Sequence, residues 1–129
     1  MNFDNHKAIY LQICDLIESK ILEGTWEANE KIPSVRRFAI ELEVNPNTIT
    51  NSFSELMGRN IIYNKRGIGY FVSQEARKII IDKITYEFYE KELPLLFHRM
   101  ELCNIPMMEI EKRFNNYQQN KNFKDEKEQ

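Results

Sequence analysis

The residues whose types and spacing could do chemistry lie between Ser34 and Gly69. They are hydrogen-bonding and basic side chains, because the segment contains a polar N-P-N-T turn at 45–48, an R-R pair at 36–37 and a K-R-G-I-G run at 65–69. Asn and Thr side chains donate and accept hydrogen bonds, and they can contact base edges or phosphates in a major groove. Arg and Lys neutralise phosphates. This set of residues therefore has the chemistry to bind nucleic acid.

Three predicted helices position the polar turn and the arginine pair. Residues 8–22 carry Ile at helical spacing and end at Gly24, which predicts a first helix. Ser34 is a good N-cap for a short second helix with an apolar face. Asn45 is the N-cap of a third helix, with Pro46 at its first position, where the missing N–H does no harm. Two short helices joined by a tight polar turn predict a helix-turn-helix.

The third predicted helix has one apolar and one uncharged polar face. Its apolar face is formed by Ile49, Phe53, Leu56 and Met57. Its opposite face carries Asn47, Asn51, Ser54 and Gly58, flanked by Thr48 and Thr50. Small polar residues weaken an isolated helix but permit a close approach to another surface. The pattern predicts a DNA-contacting face, with a merely solvated polar face as the alternative.

A β-hairpin is predicted directly after this helix. Asn60 can adopt the left-handed backbone that ends a helix, and the segments 61–64 and 70–72 have strand composition. Gly67 and Gly69 lie between the strands, beside Lys65 and Arg66. Positive charge is thus expected at a tip where the backbone can approach phosphates closely.

Arg36 and Arg37 occupy the first turn of the second helix, where the helix dipole favours anions instead of cations. A phosphate bound by both the helix N-terminus and the guanidinium groups would resolve this conflict. The alternative is an ion pair with Glu41 or Glu30.

Composition limits the other functions. The chain has 129 residues, 42% hydrophobic content and a net charge of −2 from 18 basic and 20 acidic residues, so any basic surface must be local. No apolar run is long enough to span a bilayer, and the N-terminus lacks the features of a signal peptide, so we expect a cytoplasmic protein. Cys14 and Cys103 are expected to be buried reduced thiols. His6 and His98 are isolated, and we predict no enzyme activity, metal site or cofactor.

The segment from KIPSVRRFAIELEVNPNTIT to NKRGIGYFV resembles the winged helix-turn-helix of GntR-family bacterial transcription regulators. The resemblance covers about residues 8–72, and the short remainder makes the chain similar to the YtrA-type branch, whose members are dimeric repressors often encoded beside ABC-transporter genes. It implies DNA contacts by Arg36, by Asn47, Thr48 and Asn51, and by the wing residues Arg66, Gly67 and Gly69. Asn51 stands where many relatives have Arg, and Asn60 where they usually have Gly. The complete predicted DNA-binding set is Ser34, Arg36, Arg37, Asn45, Asn47, Thr48, Thr50, Asn51, Lys65, Arg66, Gly67 and Gly69.

After residue 73 the composition becomes broadly apolar, which predicts a helical hairpin that needs a second surface to cover it. Pro94 is expected to kink or end the first helix, and a last helix begins near Pro106. A second copy of the chain is the natural cover. The predicted contacts are Ile81, Ile84, Phe88, Leu95, Leu96, Phe97, Met107, Ile110 and Phe114.

The sequence thus predicts a mostly α-helical protein with a small β-hairpin. Residues 1–73 form a winged helix-turn-helix, 74–119 a helical dimerisation region and 120–129 a disordered tail. The predicted function is a homodimeric transcriptional repressor that binds a near-palindromic double-stranded DNA operator, with ABC-transporter genes as expected targets, and does not associate with a membrane. Two alternatives remain, namely a protein-binding adaptor and a small-molecule sensor with a pocket near Phe97, Met100 and Met107. We expect weak or no metabolite binding, and any effector is unknown.

Overall fold

The computed structural model describes residues 7–128, with all of their side chains except those of 123 and 126–128. The chain divides into two compact units, the first ending at Thr85 and the second beginning at Tyr86. The predicted boundary after residue 73 is therefore too early. Ala76 and Ile80 are buried in the core of the first unit, because the helix after the wing begins by packing on that core.

The first unit has the predicted order of elements. Helices α1 (Ile9–Leu22), α2 (Val35–Leu42) and α3 (Pro46–Gly58) are followed by strands β1 (Ile62–Lys65) and β2 (Gly69–Val72) and by helix α4 (Ala76–Glu87). The prediction of a mainly helical fold with one hairpin, in a winged helix-turn-helix arrangement, is confirmed.

Side chains cap the two short helices as their sequences indicate. Ser34 Oγ accepts a hydrogen bond from the Arg37 backbone N–H at 3.1 Å, and Asn45 Oδ1 accepts one from Asn47 N–H at 2.8 Å. Asn60 has φ of +62°, the left-handed conformation predicted for the end of α3. Glu43 also adopts this conformation, with φ of +55°, between α2 and α3. Both helices of the helix-turn-helix are therefore bounded by local interactions.

Phe53 lies at the centre of the first unit's core. Its ring makes edge-to-face contacts with Phe38, at 5.8 Å between centroids, and with Tyr70 of the wing, at 4.7 Å. Trp26 from the α1–α2 connection extends this row by an edge contact with Phe38 at 5.9 Å. Phe38 and Phe53 belong to a core of fifteen buried hydrophobic residues drawn from every element of the unit. The wing and the helix-turn-helix therefore share one core.

The wing has a third strand-like segment that the sequence analysis missed. β1 and β2 pair antiparallel with Tyr63 opposite Phe71. β1 is shifted by one residue toward the turn from the predicted 61–64, and β2 begins one residue earlier than the predicted 70–72. Residues 29–32 add to the free edge of β2, where Ile32 N–H donates to Tyr70 O at 2.9 Å and Lys31 forms a bridge with Phe71. The sequence of this segment has no alternating pattern, so it pairs because the core places it beside β2.

After α4 the chain continues through a π-helical turn (Phe88–Glu92), helix α5 (Leu93–Cys103) and helix α6 (Met107–Glu128). The chain stays helical through Pro94, which is the second residue of α5. The π turn immediately precedes it, and a wider turn accommodates a residue that lacks an N–H.

The last segment differs from its prediction. In place of a disordered tail at 120–129, α6 continues to Glu128. Lys and Glu make up five of the residues 120–129, which contain no Gly or Pro, and such unbranched side chains favour helix. None of the helices within 7–128 combines the length and apolar character needed to cross a membrane.

Candidate nucleic-acid interface

The outer face of α3 is exposed and its inner face is buried, as predicted. Ile49, Phe53 and Leu56 are buried, whereas the face opposite them is exposed at Asn47, Asn51, Ser54 and Gly58. Within the described chain, the side chains of Asn47 and Asn51 form no hydrogen bond. Both amides are therefore available to hydrogen-bond another molecule.

Several other residues predicted to contact DNA, at the start of α2 and on α3, have partners within the chain. The Ser34 and Asn45 side chains serve as caps, so their acceptor oxygens already have a backbone donor. Thr50 Oγ1 donates to Pro46 O at 3.1 Å, and Thr48 is half-buried. Ser34 therefore stabilises the start of α2, and Asn45 and Thr50 stabilise the start of α3.

The two arginines of α2 differ in their environment. Arg37 Nε donates to Glu41 Oε1 at 2.9 Å in an i,i+4 ion pair, which is the alternative that the sequence analysis left open for it. For Arg36 the described residues provide no hydrogen bond or ion pair, and its side chain is exposed. Arg36 is thus the uncompensated cation at the N-terminus of α2, beside free N–H groups that also attract anions.

The wing tip combines free and constrained basic residues. Arg66 is exposed and has no ion pair within 7–128, whereas Lys65 Nζ lies 4.6 Å from the centroid of the Phe71 ring. Gly67 has φ of +78°, which favours glycine. Gly69 has φ of +144°, and a Cβ there would lie 2.7 Å from Lys31 Cε.

Lys31 is a wing residue that the sequence analysis missed. Its side chain lies along the Gly69 backbone, which adds a third cation to the wing. Its only sequence signal is its position in K-I-P-S, directly before α2. Gly69 therefore serves two purposes, a turn conformation and space for this lysine.

A buried ion network joins three helices of the first unit. The side chain of Glu18, on α1, is only 4% exposed. Its Oε1 accepts from Arg59 Nη1 at 2.9 Å and its Oε2 accepts from Lys83 Nζ at 3.0 Å. Arg59, at the end of α3, also pairs with Glu55 Oε1 at 3.1 Å. The signal for this network in the sequence is slight: Glu18 lies among Ile13, Ile17 and Ile21 on the face of α1 that enters the core.

The network affects the ionisation of its neighbours. Burial by itself would lower the pKa of the Arg59 guanidinium, but the hydrogen bond and charge of Glu18, then Cys14 and Glu55, raise that pKa above its ordinary value. Burial raises the pKa of the Cys14 thiol to about 11, with Arg59 opposing this and Glu18 adding to it. Cys14 is thus a buried thiol, as predicted.

Cys103 is exposed on α5, so its predicted burial is wrong for the single chain. The helical pattern placed it on an apolar stripe, but no other element of the described chain covers that stripe. His98 is exposed as well, and His6 lies outside the described residues. Within those residues no group of three or more His, Cys, Asp or Glu is placed to hold a metal ion.

Two of the hollows in the described residues bear on small-molecule binding. The first, of about 410 Å³, belongs to the first unit and lies beside Trp26, Val72 and Arg77. The second, of about 530 Å³, lies in the second unit beside Phe97, Met100 and Pro106. It includes two of the three residues predicted for a sensor pocket, and Met107 is not part of its lining.

The predicted dimerisation residues are uncovered in the single chain. Ile110 is half-buried, and the remaining eight are exposed: Ile81, Ile84, Phe88, Leu95, Leu96, Phe97, Met107 and Phe114. Met100 is the only hydrophobic residue that is buried in the described part of the second unit.

Comparison with known proteins supplies the family. Residues 9–72 match the family described as bacterial regulatory proteins, gntR family. The chain is 39% identical to the HTH-type transcriptional regulator YhcF of Bacillus subtilis over 90 residues, covering 68% of this chain and 74% of YhcF. It is 34% identical over 74 residues to the HTH-type transcriptional repressor YtrA of the same species, covering 57% of each chain.

A solved structure supports the same assignment. The crystal structure of a GntR-family transcriptional regulator from Bacteroides thetaiotaomicron superposes with a TM-score of 0.73 and 38% identity, covering 88% of this chain and 99% of that one. The matched residues contain the helix-turn-helix and the wing described above. The chain therefore belongs to the GntR family and is a DNA-binding transcriptional regulator.

Proposed function

We propose that this regulator is a homodimeric repressor that binds a near-palindromic operator through the exposed face of α3. The observation that carries the proposal is the pair of free amides, Asn47 and Asn51, on an uncharged helix face. Asn can form two hydrogen bonds with the major-groove edge of adenine. A dimer with two such helices contacts two half-sites related by symmetry, which explains the expected near-palindrome.

The basic residues are assigned to the DNA backbone. Arg36 combines a free guanidinium with the N-terminus of α2, and Arg66 and Lys31 bring charge to the wing. Phosphate contacts of this kind fix the position of a protein on the duplex but do not distinguish sequences. Arg37 and Lys65, which have intramolecular partners, are assigned weaker contacts, as are Thr48, Thr50 and the Gly67 and Gly69 backbones.

The dimer is inferred from the uncovered apolar surface of the second unit. The described part of the second unit buries one hydrophobic residue and exposes Leu102 at 70% and Met108 at 80%, which is unfavourable for a protein in water. A second copy of the same face would remove this surface from water and satisfy twofold symmetry.

The regulatory role follows from the relatives. YtrA is described as a repressor, and a dimer on an operator that overlaps a promoter would exclude RNA polymerase. The resemblance to the YtrA-type branch favours ABC-transporter genes as targets, and such a protein acts in the cytoplasm, where the chromosome lies.

The test is a set of gel-shift affinities on a duplex that the protein enriches from random-sequence DNA, measured over several salt concentrations. Arg36→Ala should weaken binding to this duplex and to scrambled DNA alike, and reduce the salt slope by about 1. Arg37→Ala, the matched control with its charge already paired, should have a smaller effect. Asn51→Ala should lose about 1–3 kcal/mol on the enriched duplex only.

Several outcomes would count against the proposal. Failure to enrich any duplex, with no dependence of binding on salt, would favour the protein-binding adaptor. Equal losses for Asn51→Ala on both DNAs would mean that this side chain does not contact bases. Sedimentation of a monomer at micromolar concentration would remove the dimer.

A further inference from the structure

The ion network of Glu55, Arg59, Glu18 and Lys83 extends from the DNA-contacting helix to the helix that leaves the first unit. Its two carboxylates and two cations balance in charge. Glu18 lies at its centre and is buried, with 3% of the whole residue exposed. A buried carboxylate requires a cationic partner, and Arg59 already supplies one. Lys83 is a second partner, drawn from a different helix.

One end of the network lies next to the residues proposed to contact DNA bases. Glu55 lines a surface hollow with Asn51 and Ser54 of the exposed α3 face, and with Tyr10 of α1. Arg59 contacts both Glu55 and Glu18, so a displacement of Glu18 changes the partner that orients Glu55. The network therefore reaches the edge of the surface that contacts DNA.

The other end fixes α4. The first turns of this helix are held by apolar contacts of Ala76 and Ile80, and by Arg77 Nη1, which donates to Leu22 O at 2.9 Å. Lys83 adds an attachment almost one turn beyond Ile80, with bonds to both oxygens of Glu18, at 3.3 and 3.0 Å. Lys83 thus lies near the end of the first unit, just before the chain passes to the second.

We propose that Lys83 and Glu18 are positioning residues that couple α4 to α3 and thereby set the spacing of operator half-sites that the dimer accepts. The inference rests on the proposed dimer and goes beyond it, since it assigns spacing selectivity to two residues that do not contact DNA. Two recognition helices that are held rigidly can fit only one separation of half-sites. If α4 loses its attachment at Lys83, the separation of the two helices becomes less restricted.

The variant Lys83→Met tests this coupling, because it removes the charge and keeps an unbranched chain. Lys78→Met is the matched control: it removes the same charge from the same helix, and Lys78 is exposed with no ion pair within the described chain. Lys83→Arg is the conservative variant. Each full-length protein is titrated against the enriched duplex, the same duplex with one base pair inserted between half-sites, and a single half-site.

For the wild type the insertion should weaken binding sharply. In Lys83→Met the loss of affinity caused by the insertion should be about 2- to 30-fold smaller than in the wild type, and the affinity for the single half-site should be unchanged. In Lys83→Arg the insertion should weaken binding as much as in the wild type, and Lys78→Met should behave as the wild type. A Lys83→Met protein with the full insertion penalty would overturn the proposal. An equal loss on all three duplexes, accompanied by a lower melting temperature, would overturn it too, since that indicates a structural role alone.

Amide NMR spectra of the DNA-free proteins separate this inference from the proposed function. Lys83→Met should displace the amide resonances of Glu55 and Arg59, and Lys78→Met should leave them in place. Unchanged Glu55 and Arg59 resonances would refute the coupling, whatever the oligomeric state. A monomeric wild type would refute the dimer, and with it the role in spacing, even if the resonances moved.

Discussion

The two units of this protein bury their hydrophobic residues to very different extents. The first buries fifteen hydrophobic residues in one core, whereas the described part of the second buries Met100 and leaves Phe, Leu and Met side chains exposed along α5 and α6. The hydrophobic residues of the first unit therefore bury one another without a second chain. The described part of the second unit is also rich in hydrophobic residues, but within the single chain few contacts bury them.

This difference matches the division of function. In the proposed function the first unit presents Asn47, Asn51 and Arg36 to DNA, and its closed core would hold them in a fixed arrangement. In the proposed dimer, the exposed apolar surface of the second unit is where the two copies associate. Each prediction below tests one aspect of this contrast.

The largest effect is expected for Phe53→Ala in the first unit. Phe53 is 1% exposed and contacts two other aromatic rings, so its truncation should lower the free energy of unfolding by about 3–5 kcal/mol at every protein concentration. Phe114→Ala in α6 is the comparison, measured by urea unfolding. Its effect should disappear on dilution below the concentration at which the dimer dissociates. A concentration-independent loss for Phe114→Ala as large as that for Phe53→Ala would contradict the contrast.

The next effect concerns the two thiols. With a pKa of about 11, the thiol of Cys14 is roughly 0.1% ionised at pH 8, and it is also inaccessible. At a protein concentration below that at which the proposed dimer dissociates, a soluble disulfide reagent should therefore react rapidly with exposed Cys103 and at least about 100-fold more slowly with Cys14. The reaction rate of Cys14 should rise with pH, because its ionised fraction increases tenfold per pH unit until the pH approaches 11. The Cys103→Ser variant should lack the rapid phase. Two equally rapid thiols would show that the first unit opens readily.

The smallest effect concerns helix caps. Ser34→Ala removes the cap of α2 and should cost about 1 kcal/mol of stability. Glu92→Ala, at the N-cap position of α5, removes no capping hydrogen bond and should change stability by less than about 0.5 kcal/mol. Thermal unfolding of both variants at one concentration provides the measurement. Equal losses would mean that local capping does not distinguish the two units.

Local signals in the sequence predicted much of the first unit. Ser34, Asn45 and Asn60 act through backbone groups within three residues of themselves, so their roles can be inferred without knowing the fold. The same holds for the two faces of α3, which follow from helical periodicity. Arg36 and Arg37 show the limit: both look equally unusual in the sequence, but only Arg37 has Glu41 as a partner in the structure.

Tertiary structure alone decided the features that join distant parts of the chain. The Glu18–Lys83 pair spans 65 positions, and the Lys31 contact with Gly69 depends on a strand-like segment without a strand pattern. Pro94 was accommodated by a preceding π turn, and α6 extends to Glu128. The sequence determined by itself the caps, the apolar faces and the chemistry of the DNA-contacting surface, since these depend on neighbours along one helix. The pairing of Glu18 with Arg59 and Lys83, the burial of Cys14 and the end of the first unit depend on contacts between elements, and only packing brings those elements together.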